Sequence, residues 1–139
     1  MSQLLTELDN YLQVDHNPDA WSDFSFERAV QLLDSLDNQD WEMIKQIWYE
    51  RSPDWQGRLA DALFSCNNIR AITLLEDLLQ SNDLEVLEQV LESLEGRDDV
   101  YQPSESVKPR LREIERLFKD DYHTDLIEKI LSRKQPSSE

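Results

Sequence analysis

The sequence predicts an all-α protein in which about four antiparallel helical hairpins form a short right-handed stack. Leucine occurs 21 times, valine and isoleucine together 13 times and glycine twice, and this balance favours helices over strands. Apolar residues recur every three or four positions, and no segment alternates as a strand would. Two consecutive helices also match the next two at a single offset, which indicates an internal repeat.

The repeat appears when residues 41–63 are laid on residues 72–94, a shift of 31. The helix-starting residue Ser52 then falls on Asp83. Any two amphipathic helices match in some register, so the inference depends on two helices and their turn matching together. Eight apolar pairs coincide: Trp41 with Ile72, Ile44 with Leu75, Ile47 with Leu78, Trp48 with Leu79, Trp55 with Val86, Leu59 with Val90, Ala60 with Leu91 and Leu63 with Leu94.

Eight helices are predicted from apolar periodicity and from start and stop signals. Ser2 is the expected cap of the first helix. Ser52, Pro53 and Asp54 supply a hydroxyl cap, a proline at the first position and an acid near the positive helix end. Gly96 is expected to end the sixth helix in a left-handed conformation. In order, the helices cover about 2–14, 26–36, 39–48, 53–65, 69–80, 84–96, 107–119 and 122–133.

We expect one domain over residues 1–139, with the clearest repeats at 39–66 and 69–95 and a terminal hairpin at 107–133. A polar loop is expected at 15–23, a hinge or insertion at 97–106 and a frayed tail at 135–139. A domain of this size needs no disulfide or metal. The single cysteine, Cys66, is expected to be a small packed residue in a reducing compartment. With neither a signal peptide nor a membrane span visible, we expect a cytoplasmic protein.

Acidic residues dominate the composition, and their distribution is uneven. The net charge is −16. Residues 1–40 carry nine acids and one base, 41–100 carry thirteen and five, and 101–139 carry eight of each. Such a surface repels nucleic acid and anionic membranes and steers cationic partners toward it. The alternative is that the acids serve only solubility.

Segment 55–94, WQGRLADALFSCNNIRAITLLEDLLQSNDLEVLEQVLESL, resembles a HEAT-type repeat, although not every repeat has the usual proline and arginine. This resemblance implies an α-solenoid in which stacked hairpins share one core. Small, strongly acidic chains that contain tryptophan are also similar to immunity proteins of bacterial toxin systems, some of which are built from HEAT-like repeats. That resemblance implies a protein that neutralises a cognate toxin, often a basic nuclease.

The sixth predicted helix carries the most informative acids. Its leucines and valines fall on one side, and Glu85, Glu88, Glu92 and Glu95 fall opposite, with no base in the helix to offset them. The repeat register extends this face into rows on the fourth and eighth helices. An acidic strip on the concave side of a stack would receive a partner rich in lysine and arginine, whereas the alternative is a solvated outer face. The equivalent positions are Asp54, Glu85 and Asp125, then Asp61 and Glu92, then Glu88 and Glu128.

Aromatic residues form a second candidate set. Trp41, Trp48 and Trp55 occupy apolar repeat positions and are expected in the core. Tyr49 lies off the apolar face, and Trp21 and Tyr101 lie in predicted loops. These three are better candidates for interface anchors, because exposed aromatic side chains are typical binding hot spots.

Catalytic and metal-binding patterns are weak. The sequence contains no glycine-rich phosphate loop and no nucleophile elbow, and His16 and His123 are isolated from Cys66. The oxygen-rich cluster at 120–125, Asp120, Asp121, His123 and Asp125, matches neither an EF-hand pattern nor a zinc pattern. A loop followed by a helix starting at Thr124 explains it more simply. We therefore expect no enzymatic activity, no cofactor and no metal.

The sequence thus predicts an immunity or inhibitor protein that binds a basic toxin. One alternative is a scaffold or chaperone-like adaptor that recognises a partner helix through an apolar seam. Another is an enzyme or a DNA-acting HEAT protein, but that would need a basic groove, and only the seventh helix is basic. The predicted partner-binding residues are Asp54, Asp61, Glu85, Glu88, Glu92, Tyr49 and Tyr101.

Overall fold

The computed structural model describes residues 1–13, 26–97 and 101–132. Within these ranges the chain is helical and has no β-strand, which confirms the predicted all-α class. A turn of 3-10 helix at Trp48–Glu50 lies between the third and fourth α-helices. The α-helices of the described ranges are α1 (Gln3–Gln13), α2 (Phe26–Ser35), α3 (Asn38–Ile47), α4 (Pro53–Ser65), α5 (Arg70–Leu78), α6 (Leu84–Gly96), α7 (Lys108–Phe118) and α8 (Asp121–Leu131).

The even-numbered helices pack in succession. Helix α2 contacts α4, α4 contacts α6 and α6 contacts α8, and the contact between α4 and α6 is the most extensive. The odd-numbered helices lie beside this row: α1 packs on α2 and α4, α3 on α5, α5 on α4 and α6, and α7 on α8. Helices α4 and α6 are therefore close neighbours at the centre of the described chain.

One apolar core joins these helices. On α4 and α6, every predicted repeat position is at most 1% exposed: Trp55, Leu59, Ala60 and Leu63, and Val86, Val90, Leu91 and Leu94. The core also contains Trp41, Trp48 and Cys66, as the sequence predicts. Leu117, the α7 equivalent of the fully buried Leu78, is instead 51% exposed. Among the described helices, α7 packs chiefly on α8, and this packing leaves Leu117 exposed.

Buried polar contacts fix α1 against α4. Asp9 is 8% exposed and accepts two hydrogen bonds of 2.9 Å from the guanidinium of Arg51 and one of 3.0 Å from the indole of Trp55. Burial alone would raise the pKa of Asp9, but the bonds from Arg51, Gln13 and Trp55 outweigh it and lower that pKa. The carboxylate is therefore charged and fully engaged inside the fold.

Side-chain caps set most helix starts. Ser52 Oγ accepts from the amide of Trp55 at 3.2 Å, and Asp83 accepts from the amide of Val86 at 3.1 Å, as the sequence predicts. The interpretation of Thr124 as the starting residue of the last helix is wrong, although the predicted bound of about 122 lies within one residue of the observed start at Asp121. Asp120 is the cap, and it accepts from the amide of His123 at 2.7 Å.

The prediction for Gly96 is also wrong, because no described glycine has a positive φ. Gly96 ends α6 in an ordinary conformation, and a Cβ there would lie 2.9 Å from Cε2 of the Phe64 ring. Its missing side chain thus makes room for Phe64. The left-handed residue is Lys119, at φ 58°, which ends α7. The predicted loop at 15–23, residues 98–100 of the predicted hinge and the tail at 135–139 lie outside the described residues.

None of the helices in the described ranges combines the length and the apolar character that crossing a membrane requires.

Candidate functional site

A polar groove lies between α4 and α6. Its volume is about 440 Å³, and most of the side chains that line it are polar or charged. The groove brings together four of the five predicted acids, from two different helices. The lining residues are Pro53, Asp54, Gly57, Arg58, Asp61, Glu85, Val86, Glu88 and Gln89.

Matching helix starts explain why these acids meet. The caps Ser52 and Asp83 are 31 positions apart, so Asp54 and Glu85 occupy the same place in the first turns of α4 and α6. The buried faces of both helices point into the shared core, which leaves the acids on the outer side of the contact. Register and packing together therefore produce the groove.

The four groove acids differ in their surroundings. Asp54 and Glu85 are exposed, and neither side chain forms a hydrogen bond or ion pair with any residue in the described ranges. Asp61 and Glu88 are half-buried, and both have partners inside the protein. The two first-turn acids thus offer the more available charges.

Arg58 is the one base that lines this groove, and it is already engaged. Its Nη1 donates to the backbone carbonyl of Leu12 at the end of α1, at 2.7 Å. This bond holds the guanidinium beside a helix end where cations are favoured. One base against four acids leaves the groove with a net negative charge.

Gly57 also lines the groove, and packing does not require it. A Cβ at this position would meet no atom within 4 Å. A glycine inside a helix costs roughly 0.5–1 kcal/mol relative to alanine. Gly57 has no predicted role, although a glycine inside a predicted helix is unusual in a chain with two glycines.

The fifth predicted acid, Glu92, does not line the groove. It accepts a hydrogen bond from the hydroxyl of Tyr122 on α8 at 2.6 Å. This bond, with a smaller contribution from burial, raises the pKa of Tyr122 to about 12. Glu92 therefore contacts the last hairpin instead of joining the other acids.

His123 connects the same hairpin to the groove, a contact that the sequence does not predict. Its Nε2 lies 2.6 Å from Glu88 Oε2, and its Nδ1 lies 2.7 Å from Asp120. The ring is stacked on Phe118, with centroids 3.8 Å apart. No local pattern could reveal this, because Glu88 and His123 are 35 residues apart.

The two aromatic residues predicted as contacts have different environments. Tyr49 is 64% exposed and packs edge-on against Trp48, with ring centroids 6.3 Å apart. The expectation that Tyr101 is an accessible loop residue is wrong, because it is 2% exposed and its hydroxyl donates to Glu76. Burial and that bond raise the pKa of Tyr101. Trp21 lies outside the described residues.

The last candidates are the oxygen-rich cluster at 120–125 and Cys66. Across residues 1–13, 26–97 and 101–132, no group of three or more histidine, cysteine or acidic side chains is arranged to hold a metal ion. Cys66 is buried, and burial is the main cause that raises the pKa of its thiol to about 12. Its sulfur is therefore a poor nucleophile near neutral pH.

Comparison with known proteins gives no significant match to any family profile, curated protein or solved structure.

Proposed function

We propose that this chain is a non-catalytic inhibitor that binds a basic protein toxin through the groove between α4 and α6, as immunity proteins do. One observation carries the proposal: four acids from two helices line a single groove. Two of them, Asp54 and Glu85, have no internal partner among the described residues. The free thiol of Cys66 fits a reducing compartment, and we place the activity in the cytoplasm.

We further propose that the hairpins form a short right-handed HEAT-like solenoid. The consecutive contacts from α2 through α4 and α6 to α8 support this arrangement, as does the repeat at a shift of 31. In such a stack the second helices of successive hairpins share one surface. Acids from α4 and α6 would then face the partner together.

Charge supports a basic partner in two ways. The net charge of −16 steers cationic proteins toward the chain over long distances and accelerates association at low salt. The groove then supplies a local excess of four acids over one base. A surface lysine or arginine of the partner would pair with Asp54 and Glu85, which have no partner among the described residues.

The test is affinity capture from source cells at low salt, with Gly57→Trp compared with Gly57→Ala. The tryptophan places a large side chain at a position that lines the groove and where a Cβ would meet no neighbouring atom within 4 Å. The alanine improves the helix and leaves the groove open. We expect wild type and Gly57→Ala to retain a basic protein that Gly57→Trp loses.

The captured protein is then purified and assayed for toxicity in cells, with and without this chain. Suppression of toxicity by wild type and Gly57→Ala, but not by Gly57→Trp, is the expected result. Equal capture by all three proteins, or a captured protein with no toxic activity, would contradict the proposal. A captured protein whose binding does not respond to salt would indicate the adaptor hypothesis.

A further inference from the structure

The imidazole of His123 is held between two carboxylates at the contact of α8 with α6. Nε2 lies 2.6 Å from Glu88 and Nδ1 lies 2.7 Å from both oxygens of Asp120. Glu88 also lines the acidic groove. One carboxylate is therefore shared between the groove and the histidine.

Only a protonated ring satisfies this arrangement. Each carboxylate accepts hydrogen bonds, and a neutral imidazole has a single N–H to donate. A neutral His123 would present a lone pair to either Asp120 or Glu88, at hydrogen-bond distance from a negative oxygen. A charged His123 donates to both.

The geometry also determines which carboxylate a neutral ring would release. Asp120 is the cap of α8 and accepts from the backbone amide of His123 at 2.7 Å as well as facing Nδ1. Within the described part of the chain, the carboxylate of Glu88 accepts no second hydrogen bond, and its side chain is 45% exposed. Loss of the proton therefore frees Glu88 while Asp120 stays in place.

Two aromatic rings and one further acid surround the imidazole. Phe118 of α7 stacks on one face of the imidazole. Tyr122 of α8 packs edge-on against it, and the centroid of the tyrosine ring lies 4.9 Å from that of His123. From α6, Glu92 accepts the hydroxyl of Tyr122 beside the ring. Burial alone would lower the pKa of His123, but the hydrogen bonds and charges of Asp120 and Glu88 raise it above its usual value.

We propose that the protonation state of His123 regulates the acidic groove by controlling the charge of Glu88 that is available to a cationic partner. With the ring protonated, Glu88 is paired inside the protein. After the ring loses its proton, Glu88 faces the groove with its full negative charge. This inference rests on the proposed function of the groove as a receptor for basic groups.

The test uses a fluorescently labelled hexa-arginine peptide at constant low ionic strength, titrated between pH 6 and 9. For wild type we expect affinity to rise about two- to fivefold as His123 deprotonates, the effect of one partly exposed charge. In His123→Gln this pH-dependent rise is absent. The matched control is His16→Gln, which removes the other histidine of the chain and should behave as wild type. NMR of the His123 ring supplies the titration midpoint.

A second variant keeps the test independent of the folding of His123→Gln. Glu88→Gln retains the histidine and should abolish the rise while weakening binding at high pH. Parallel pH profiles for wild type and either variant would overturn the regulation.

A third variant, Glu85→Gln, tests the receptor role of the groove separately from its regulation by His123. Binding that weakens in Glu85→Gln but is insensitive to His123 overturns only the regulation. If Glu85→Gln binds the peptide as tightly as wild type, or if wild type binds no peptide at any pH, both the receptor role of the groove and the regulation are overturned.

Discussion

Asp9 is both buried and hydrogen-bonded, and we expect this one residue to contribute strongly to the stability of the fold. Its carboxylate is bound by Arg51, Trp55 and Gln13, which come from the 3-10 turn region, α4 and α1. The sequence gives no sign of this network, because Arg51 is 42 residues away and Asp9 falls among other polar residues. A periodicity argument identifies apolar faces, and it cannot identify which acid is buried.

Asp9→Asn is predicted to lower the free energy of unfolding by about 3 kcal/mol, because removing one partner of a buried ion pair leaves the other uncompensated. Urea unfolding followed by circular dichroism measures the change. Asn10→Ala, at an exposed neighbouring position, is the control and should change stability by less than about 0.5 kcal/mol. A loss in Asp9→Asn no greater than in the control would show that the network does not stabilise the fold.

The two glycines differ in the space that an added side chain would find. Gly57→Ala is predicted to stabilise the protein by about 0.5–1 kcal/mol, because its Cβ meets nothing and helix propensity improves. Gly96→Ala should gain less, because its Cβ would force the Phe64 ring to move from 2.9 Å. Thermal unfolding of both variants measures the difference. A larger gain at Gly96 would contradict the role assigned to Phe64.

At the scale of helices, bounds are more predictable than the backbone conformation at a helix end. The caps Ser52 and Asp83 follow from local chemistry, and both α4 and α6 start and end at the predicted residues. The conformations at Gly96 and Lys119 do not follow from local signals. The glycine makes room for a ring from another helix, and the lysine adopts the left-handed turn that glycine usually supplies.

The docking of α8 on α6 is predicted to depend on pH. His123 has a raised pKa in the folded protein, so its stabilising contribution is complete below the unfolded pKa, near 6.5. That contribution is lost as pH rises through the folded pKa. Urea unfolding of wild type and His123→Gln across pH 6–9 measures it.

Wild type should lose stability relative to His123→Gln as pH increases. Hydrogen exchange, corrected for the intrinsic effect of pH, should show the loss in the amides of α8 first. A difference between the two proteins that stays constant over this range would contradict the assignment. His16→Gln is again the control, and it should follow wild type.

Across the whole molecule, several arginines donate hydrogen bonds to backbone carbonyls at helix ends. Arg58 donates to the carbonyl of Leu12. Arg97 donates to the carbonyls of Leu63 and Cys66. Arg110 donates to the carbonyl of Leu79, at 2.7 Å. Cations near helix C-termini stabilise the free carbonyls there. These bases therefore serve the fold, and the acids of α4 and α6 keep their excess charge.

The sequence predicts the helical class, the buried faces of α4 and α6 and the first-turn acids, because each follows from periodicity, register or a local cap. It places Glu92 with the other acids, since helix periodicity alone cannot show that Tyr122 of another helix binds it. It places Tyr101 on the surface because loops are usually exposed, whereas tertiary packing buries this ring. Long-range contacts between hairpins account for both differences.

The central claim is that the groove between α4 and α6, and not net charge alone, receives basic groups. The most direct measurement compares hexa-arginine binding at low salt for Asp54→Asn/Glu85→Gln and for Glu27→Gln/Asp121→Asn, which removes the same charge at exposed positions outside the groove lining. We predict about tenfold weaker binding for the groove pair, from two pairings of roughly 0.5–1 kcal/mol each, and a loss below twofold for the control. Equal losses in the two double variants would contradict the account.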